Sequence, residues 1–521
     1  LARPRGRLPE GLARARRPGR KRSGGPKKMI DRARPLARPP AALRTFPARE
    51  EVEEVLRLVA EEASSYLARL DAQPVLSPAA GSALAGFRHP LPEEGIGAVA
   101  ALRQLIEEGS PAVANTSGPR CFHFVIGGAT PAAIGADWLA SSMDQMAYTW
   151  VTSPLAVELE LLSLSWLKEL FGLPAGWSGV MTTGASMANF VGLAAARQWW
   201  GERYGADISE RGLTGLPQLP VFASGYLHAS DRRCLALLGI GRQSVRICSS
   251  DATGRIDLDA VEAGLRSLDG EPAVLIAIAG EVNAGEFDPI EEMADLAHRY
   301  GAWLHVDGAF GLFAALSDRV RERVRGVDRA DSVTVDGHKW LNVPYDCGFS
   351  FVRDAELLAK SFAYTADYLP KPDDPHPTMG AVGPESSRRA RSLAVWATLR
   401  AYGKAGHRAI VERHLDLAQH LARRVDEAPD LERLADVPLN IVCFRYRPAG
   451  RALADAALDR LNARLGEAIL RDGRVLVGTT RYAGRTAFRP AIANWRTGPE
   501  DVDLLVSIVR EFGEPLAREI S

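Results

Sequence analysis

Several common signatures are missing from this chain. Its five cysteines (Cys121, Cys234, Cys248, Cys347, Cys443) are scattered through 521 residues, with no CxxC pair and no metal-like spacing. That argues against a disulfide framework or a metal site, and fits free thiols in the cytoplasm. Net charge is missing too. Lys+Arg and Asp+Glu both number 64, so overall charge draws the protein to neither nucleic acid nor an anionic membrane. No apolar run approaches the roughly 18 residues of a membrane-spanning helix, and no internal repeat is evident. What is present is an ordinary globular composition, 46% apolar and 25% charged, long enough for a large domain with appendages.

The first 45 residues differ from the rest. They hold fifteen Lys/Arg against two acids, many Pro and Gly, and no apolar periodicity. A secretory signal is excluded by the lack of an apolar core. A nucleic-acid-binding arm, an organellar presequence and a stretch outside the working protein all fit this composition. The expectation is a disordered tail of little functional consequence, with Met29 just ahead of the first foldable region.

Beyond this tail, amphipathic helices are predicted over Glu50–Leu70 and Gly97–Glu108, and a Leu- and Glu-rich helix over Pro154–Phe171. From Gly179 strands and helices alternate. Strands are predicted at Gly179–Thr182, Pro220–Ala223, Val245–Cys248, Ala273–Ala279, Trp303–Val306 and Ser332–Val335, with helices at Met187–Arg197, Asp231–Leu238, Asp257–Leu268 and Pro289–Tyr300 between them. Short, almost wholly apolar strands separated by helices predict an α/β fold with a parallel sheet covered on both faces. A helix near Ser392–Tyr402 precedes a change of composition. Helices at His407–Glu427, Ala452–Asp472 and Glu500–Phe512, with strands at Asn440–Tyr446 and Thr486–Pro490, suggest a separate small α/β domain. The expected division is a tail (1–45), an N-terminal helical segment (46–115), a large domain (116–403) and a small C-terminal domain (404–521).

In parallel sheets of this kind ligands sit at the carboxyl ends of the strands, so those ends carry the chemistry. Strand Trp303–Val306 runs into Asp307, which alone could be a turn or capping aspartate. Strand Ser332–Val335 runs into Asp336-Gly337-His338-Lys339-Trp340. There a desolvated lysine could supply a neutral, nucleophilic amine, although an isolated lysine is ordinarily a surface residue. Strand Gly179–Thr182 leads through Thr183-Gly184-Ala185-Ser186-Met187 into a helix, a turn whose free N–H groups can cradle a phosphate. Phosphate cradle, acid and lysine together form the layout that pyridoxal phosphate requires. The acid keeps the pyridine nitrogen protonated and the lysine carries the aldehyde as a Schiff base.

The run DGHKWLNVPYDCG resembles the lysine motif of the group II pyridoxal-phosphate amino-acid decarboxylases, the family of the aromatic-amino-acid, histidine and glutamate enzymes. HVDGAFG, SPLAVELE (Ser153–Glu160), FDPIEEMADLAHRYGAWLHVDG and FRPAIANWRT (Phe488–Thr497) are similar to that family as well, and the likeness covers about Leu91 to Phe512. It implies a fold-type I architecture with a mainly parallel seven-stranded sheet, and an obligate homodimer with shared active sites. By resemblance, Lys339 would bind the cofactor, Asp307 would pair with its ring nitrogen, Ala309 would lie against the ring and His228 would stack over it. Ala185, Ser186 and Met187 would hold the phosphate, with His338 nearby. Phe122, His123, Phe124, Tyr148 and Trp150 match segments that line the substrate pocket, often across the dimer interface.

Three departures qualify the likeness. Gly280-Glu281-Val282-Asn283 stands where the family often has Gly-Thr-Thr, and Asp336 where many members have asparagine. Two added acids near a phosphate should either point away from it or change the site's charge. The Pro- and Gly-rich lid before Arg388-Arg389, HPTMGAVGPESS, also lacks the tyrosine that in many members reprotonates the substrate carbon. Met379 lies nearest that position, Tyr364 and Tyr368 come earlier, and His376 is the nearest alternative acid. In related plant and insect enzymes that loss accompanies oxygen-dependent aldehyde formation. The expected activity is decarboxylation of an L-amino acid, with the aromatic segments hinting at an aromatic or bulky substrate. Oxidative deamination, aldehyde formation or carbon–carbon cleavage on the same cofactor is the nearest rival. A non-catalytic protein that binds nucleic acid through the basic arm is a further one.

Overall fold

In the computed structural model of the chain, residues 49–369 and 375–519 are described. The basic run over residues 1–45 lies outside them. Seven strands build the larger sheet: β1 (Ser178–Thr182), β2 (Val221–Ala223), β3 (Val245–Ile247), β4 (Val274–Ile278), β5 (Trp303–Asp307), β6 (Ser332–Asp336) and β7 (Gly348–Val352). Their spatial order is β1-β7-β6-β5-β4-β2-β3. All neighbours are parallel except β7, which runs antiparallel to both β1 and β6. Every residue of β4, β5, β6 and β7 is buried, as in a sheet covered on both faces, although only β4 is apolar throughout.

The six strands predicted from the pattern form within a residue or two of their expected ends. The seventh, β7, follows directly on the Asp346-Cys347 turn of the lysine motif and completes the α/β fold of type I. Gly348 at its start is required by packing, since a Cβ there would lie 2.5 Å from the Cα of Gly184. That contact seats the N-terminus of the helix Ala185–Arg203 against the sheet. The helix begins two residues before its expected start and runs six beyond its expected end, with twelve of its nineteen residues buried.

The two helices expected over Ser392–Tyr402 and His407–Glu427 follow each other as one 36-residue element, Ser392–Glu427, broken only at Gly403 (φ 59°, ψ −174°). A second, four-stranded antiparallel sheet carries its own core around Phe444 and Phe488. It consists of β8 (Leu431–Arg433), β9 (Phe444–Tyr446), β10 (Thr479–Tyr482) and β11 (Arg485–Phe488), in the order β10-β11-β9-β8. The strands expected at Asn440–Tyr446 and Thr486–Pro490 are shortened to β9 and β11, and β8 and β10 were not expected. The β10–β11 hairpin turns on Ala483 and Gly484, both at positive φ (47° and 78°). Such a turn favours Asn-Gly or Asp-Gly, so Ala-Gly left no local signal.

The helices Glu51–Arg69 and Ala98–Gly109 pack on each other and contain no buried residue. Among the described residues no helix is long and apolar enough to cross a membrane.

Candidate active site

The carboxyl ends of β1, β4, β5 and β6 meet at one cavity of about 190 Å3 whose walls include Ala185, His228, Glu281, Asp307, Ala309 and Lys339. Lys339 stands in the turn after β6. Its Nζ lies 3.2 Å from Oδ2 of Asp336 and 5.8 Å from the centre of the Phe310 ring. The turn is clamped from several sides. Asn342, at φ 57°, donates from Nδ2 to the carbonyls of Trp340 (2.8 Å) and Ala493 (3.0 Å), and its Oδ1 accepts the Trp495 N–H (2.9 Å). The Trp340 indole N–H donates to Nδ1 of His414 at 2.7 Å, and Nε2 of His414 donates to the Asn494 carbonyl at 2.9 Å. Burial lowers the His414 pKa to about 4, which keeps the ring neutral and able to play both parts. Sequence reasoning passed over Asn342, Asn494 and His414. The first two lie inside motifs already noted, whereas His414 lies on a long helix where nothing marks it.

Asp307 ends β5 with 5% exposure. Its Oδ1 accepts the Ala309 N–H and its Oδ2 accepts Nδ2 of Asn189, both at 3.0 Å. Behind Asn189 runs a buried relay with one consistent direction. The Trp303 indole N–H donates to Oγ of Ser332 (3.0 Å), the Ser332 hydroxyl to Nδ1 of His305 (2.8 Å), and Nε2 of His305 to Oδ1 of Asn189 (3.0 Å). Burial lowers the His305 pKa to about 4, so the relay delivers N–H dipoles without a net charge. It terminates on Asp307, whose Oδ2 takes the last N–H of the series from Asn189.

Ala185, Ser186 and Met187 form the first turn of the helix Ala185–Arg203, where the dipole and the N–H groups of Ser186 and Met187 favour an anion, the Ala185 N–H being taken by Asp336. Gly184 precedes it at φ 146°, and a Cβ there would lie 2.8 Å from the His338 ring. His338 donates from Nε2 to Oδ1 of Asp336 (3.1 Å), accepts the Cys347 N–H on Nδ1 (3.3 Å), and stacks on Tyr345 at 4.1 Å. His228 caps the helix Ala229–Leu237, with Nδ1 accepting the Ser230 N–H. Burial lowers its pKa, Lys339 and Arg489 work in the same direction, and Asp307 opposes them.

The two added acids behave differently. Glu281 lines the cavity, yet its oxygens accept the N–H groups of Asn283 (2.8 Å) and Ala284 (2.5 Å), so it closes its own turn. Asp336 points into the phosphate turn and accepts the Ala185 N–H at 3.1 Å. Burial alone would raise the Asp336 pKa, but Lys339 and His338 hold it below the usual carboxylate value.

Within one chain, the residues expected in the substrate pocket are not brought to this cavity. Phe122 is buried in the core of the smaller sheet. His123 lies against Phe124, which is 63% exposed. Tyr148 and Trp150 pack against the lid segment instead. The ring of Tyr148 covers Gly380, and Trp150 stacks on His376 at 4.0 Å. Met379 is buried beneath them.

These donors fit pyridoxal phosphate. A helix N-terminus suits the phosphate, a buried carboxylate fed by N–H donors suits a pyridinium, and a lysine stands between them. The fold that presents them is that of a fold-type I pyridoxal-phosphate enzyme. The chain belongs to the pyridoxal-dependent decarboxylase family, whose conserved-domain model matches residues 100–447. It is 30% identical over 405 residues to the aromatic-L-amino-acid decarboxylase of Bacillus atrophaeus, covering 77% of this chain and 82% of that one. It is 33% identical over 441 residues to the L-2,4-diaminobutyrate decarboxylase of Rhizobium meliloti, covering 82% and 84%. The crystal structure of Oryza sativa TDC with PLP and tryptamine superposes with a TM-score of 0.84 at 26% identity, over 91% of this chain and all of that one. The protein is therefore a pyridoxal-phosphate-dependent amino-acid decarboxylase, a carboxy-lyase.

Proposed function

We propose that the substrate is an L-amino acid with an aromatic or otherwise bulky side chain, converted to its amine and CO2, with Lys339 as the amine that holds the cofactor aldehyde. The observation that carries the site assignment is the convergence of Lys339, Asp307 and the Ala185–Met187 turn on one cavity. In this reading Asp307 would pair with the ring nitrogen and keep it protonated, and Ala309 and His228 would hold the ring. The Ser186 and Met187 amides would hold the phosphate, with His338 nearby and bonded to Asp336. The bound cofactor supplies an electron sink for the charge left at Cα when the carboxylate departs. His228, neutral by burial, can cover a cationic ring without repelling it. With Met379 at the lid position, His376 is the alternative acid on the lid; it stacks on Trp150 outside this chain's cavity, so it would return a proton to Cα in the partner's cavity.

The relatives that act on aromatic amino acids or were crystallised with tryptamine support the aromatic substrate. The diaminobutyrate relative names the rival. The test is CO2 and amine release from L-tryptophan, L-tyrosine and L-phenylalanine against L-2,4-diaminobutyrate and L-glutamate. Aromatic amines are expected, and turnover confined to diaminobutyrate or glutamate would overturn the proposal. A second reading rests on the tyrosine-free lid. If aldehyde, ammonia and peroxide form with consumption of dioxygen, the outcome is oxidative.

We further propose a homodimer with shared active sites. Two N-terminal helices without a buried residue, and exposed Trp138, Leu139, Met143, Val151 and Leu155, provide apolar surface for it. The segments Phe122–Phe124 and Tyr148–Trp150 would then serve the partner's cavity. The division at residues 116–403 and 404–521 is supported by the two separate sheets and by the helix break at Gly403, while Phe122 packs into the smaller core and Val411, Leu415 and Leu439 into the larger one. A cytoplasmic setting agrees with five buried, unbridged cysteines.

A further inference from the structure

Behind the cavity wall formed by His228 and Ser230, a second buried carboxyl group lies beside Asp307. Asp231 lies in the first turn of the helix Ala229–Leu237 that His228 caps, with 0% exposure. Its carboxyl faces that of Asp307 within hydrogen-bond reach, and the N–H groups of His228 and of Asp231 itself are the nearest other donors. Neither of these N–H groups meets an Asp231 oxygen in hydrogen-bond geometry. One helical turn on, the Cys234 thiol donates to the Ser186 carbonyl at 3.0 Å, which ties this face of the helix to the phosphate turn.

Two carboxylates in contact away from water cannot both be charged. Asp307 already accepts N–H donors from Asn189 and Ala309, whereas neither Asp231 oxygen has a donor, so the proton between them belongs on Asp231. Burial and the Asp307 charge both push the Asp231 pKa well up. A carboxylate offers about four lone-pair sites. With two taken by protein N–H groups, one remains for an Asp231 O–H and one for a ring N–H. As a fold element alone, Asp231 is a poor choice. A valine has nearly the same shape and would bury no polar group lacking a donor.

We propose that Asp231 is a positioning residue for the cofactor's ring nitrogen, its protonated carboxyl donating to Asp307 and orienting the anion that the nitrogen meets. This rests on the assignment of Asp307 as that nitrogen's partner.

The test compares the full-length wild type with Asp231→Asn and Asp231→Val. Each is measured for binding of pyridoxal phosphate and of its 1-deaza analogue, which has CH in place of the ring nitrogen. Asp231→Asn keeps a neutral donor and should bind pyridoxal phosphate within about threefold of wild type. Asp231→Val should bind it about tenfold more weakly, the loss of one hydrogen bond to a charged group. All three proteins should bind the deaza analogue alike. Without cofactor, Asp231→Val should unfold at a temperature no lower than wild type, which a helix-capping role would not allow. Unchanged pyridoxal phosphate affinity in Asp231→Val, an equal loss for both ligands, or an asparagine variant as weak as the valine would each overturn the proposal. Asp307→Asn in the same series separates the two levels. If it fails to discriminate between the ligands, the assignment of Asp307 is what falls.

Discussion

Asp336 holds Lys339 in an ion pair, with Nζ 3.2 Å from Oδ2, while the other oxygen of Asp336 accepts the Ala185 N–H at the phosphate turn. The same carboxylate thus engages both the amine proposed to take the cofactor and the turn proposed to take its phosphate. Asp336→Asn keeps an acceptor for Ala185 and removes a negative charge from both. Cofactor capture, followed by absorbance after mixing, should quicken by roughly tenfold at neutral pH. A slower variant would mean that the charge orients Lys339 more than it restrains it.

Gly127 donates its N–H to the His338 carbonyl at 3.2 Å, and a Cβ there would lie 1.6 Å from the Lys339 carbonyl oxygen. Backbone cannot yield as a side chain can. Gly127→Ala should cost about 3 kcal/mol of stability and displace the Lys339 turn, so the cofactor chromophore should fall sharply. Gly135, in the helix Pro131–Met143 with no atom within 4 Å of its added Cβ, is the control. Gly135→Ala should stabilise by about 0.5–1 kcal/mol.

Asp288 joins the ends of β2 and β4. Its Oδ2 accepts the Ser224 hydroxyl and the Ile278 N–H, each at 2.8 Å, and burial raises its pKa to about 7. The native state therefore binds this proton more tightly than the unfolded chain. The native state gains from protonation most fully below the unfolded carboxylate pKa. That gain is lost as pH climbs from about 4 through 7, by about 4 kcal/mol at the outside. Asp288→Asn keeps both acceptor contacts, so its melting temperature should exceed that of wild type at pH 8 and match it near pH 4.

Arg388, at the end of the lid, pairs with Glu160 at 2.8 Å, and both side chains are 2% exposed. The guanidinium also donates to the carbonyls of Met181 (2.7 Å) and Ala147 (3.2 Å), while Glu160 accepts the Met181 N–H at 2.9 Å. Arg388→Leu strands a buried anion and should cost about 3–5 kcal/mol. Adding Glu160→Leu should restore part of that loss. A strictly additive double-mutant cycle from urea unfolding would count against the pairing.

Much of the fold was legible because its signals are local. β4 is an unbroken apolar run, β5 is apolar apart from His305 and its terminal Asp307, and a helical period lies between most strands. β7 escaped because five residues after a loop carry little pattern, and β10 because Ala483-Gly484 lacks the usual hairpin residues. Among the site residues, Asp307 and Lys339 were marked by their place at strand ends. The aromatic segments were not positioned by anything local, and Phe122 turned inward to the smaller sheet's core.

The sequence by itself determined which chemistry is available: a lysine, an acid and a phosphate turn, each following an apolar strand, because strand-end placement follows from periodicity along the chain. Only the tertiary structure decided what each polar group faces. It turned Glu281 onto its own turn, aimed Asp336 at Ala185, ended the Trp303–Ser332–His305–Asn189 relay on Asp307, and set Asp231 against that same carboxylate. The physical reason is that hydrogen bonding and charge pairing in a buried site depend on side chains from different strands and helices. Their mutual directions are set by packing and leave no period in the chain.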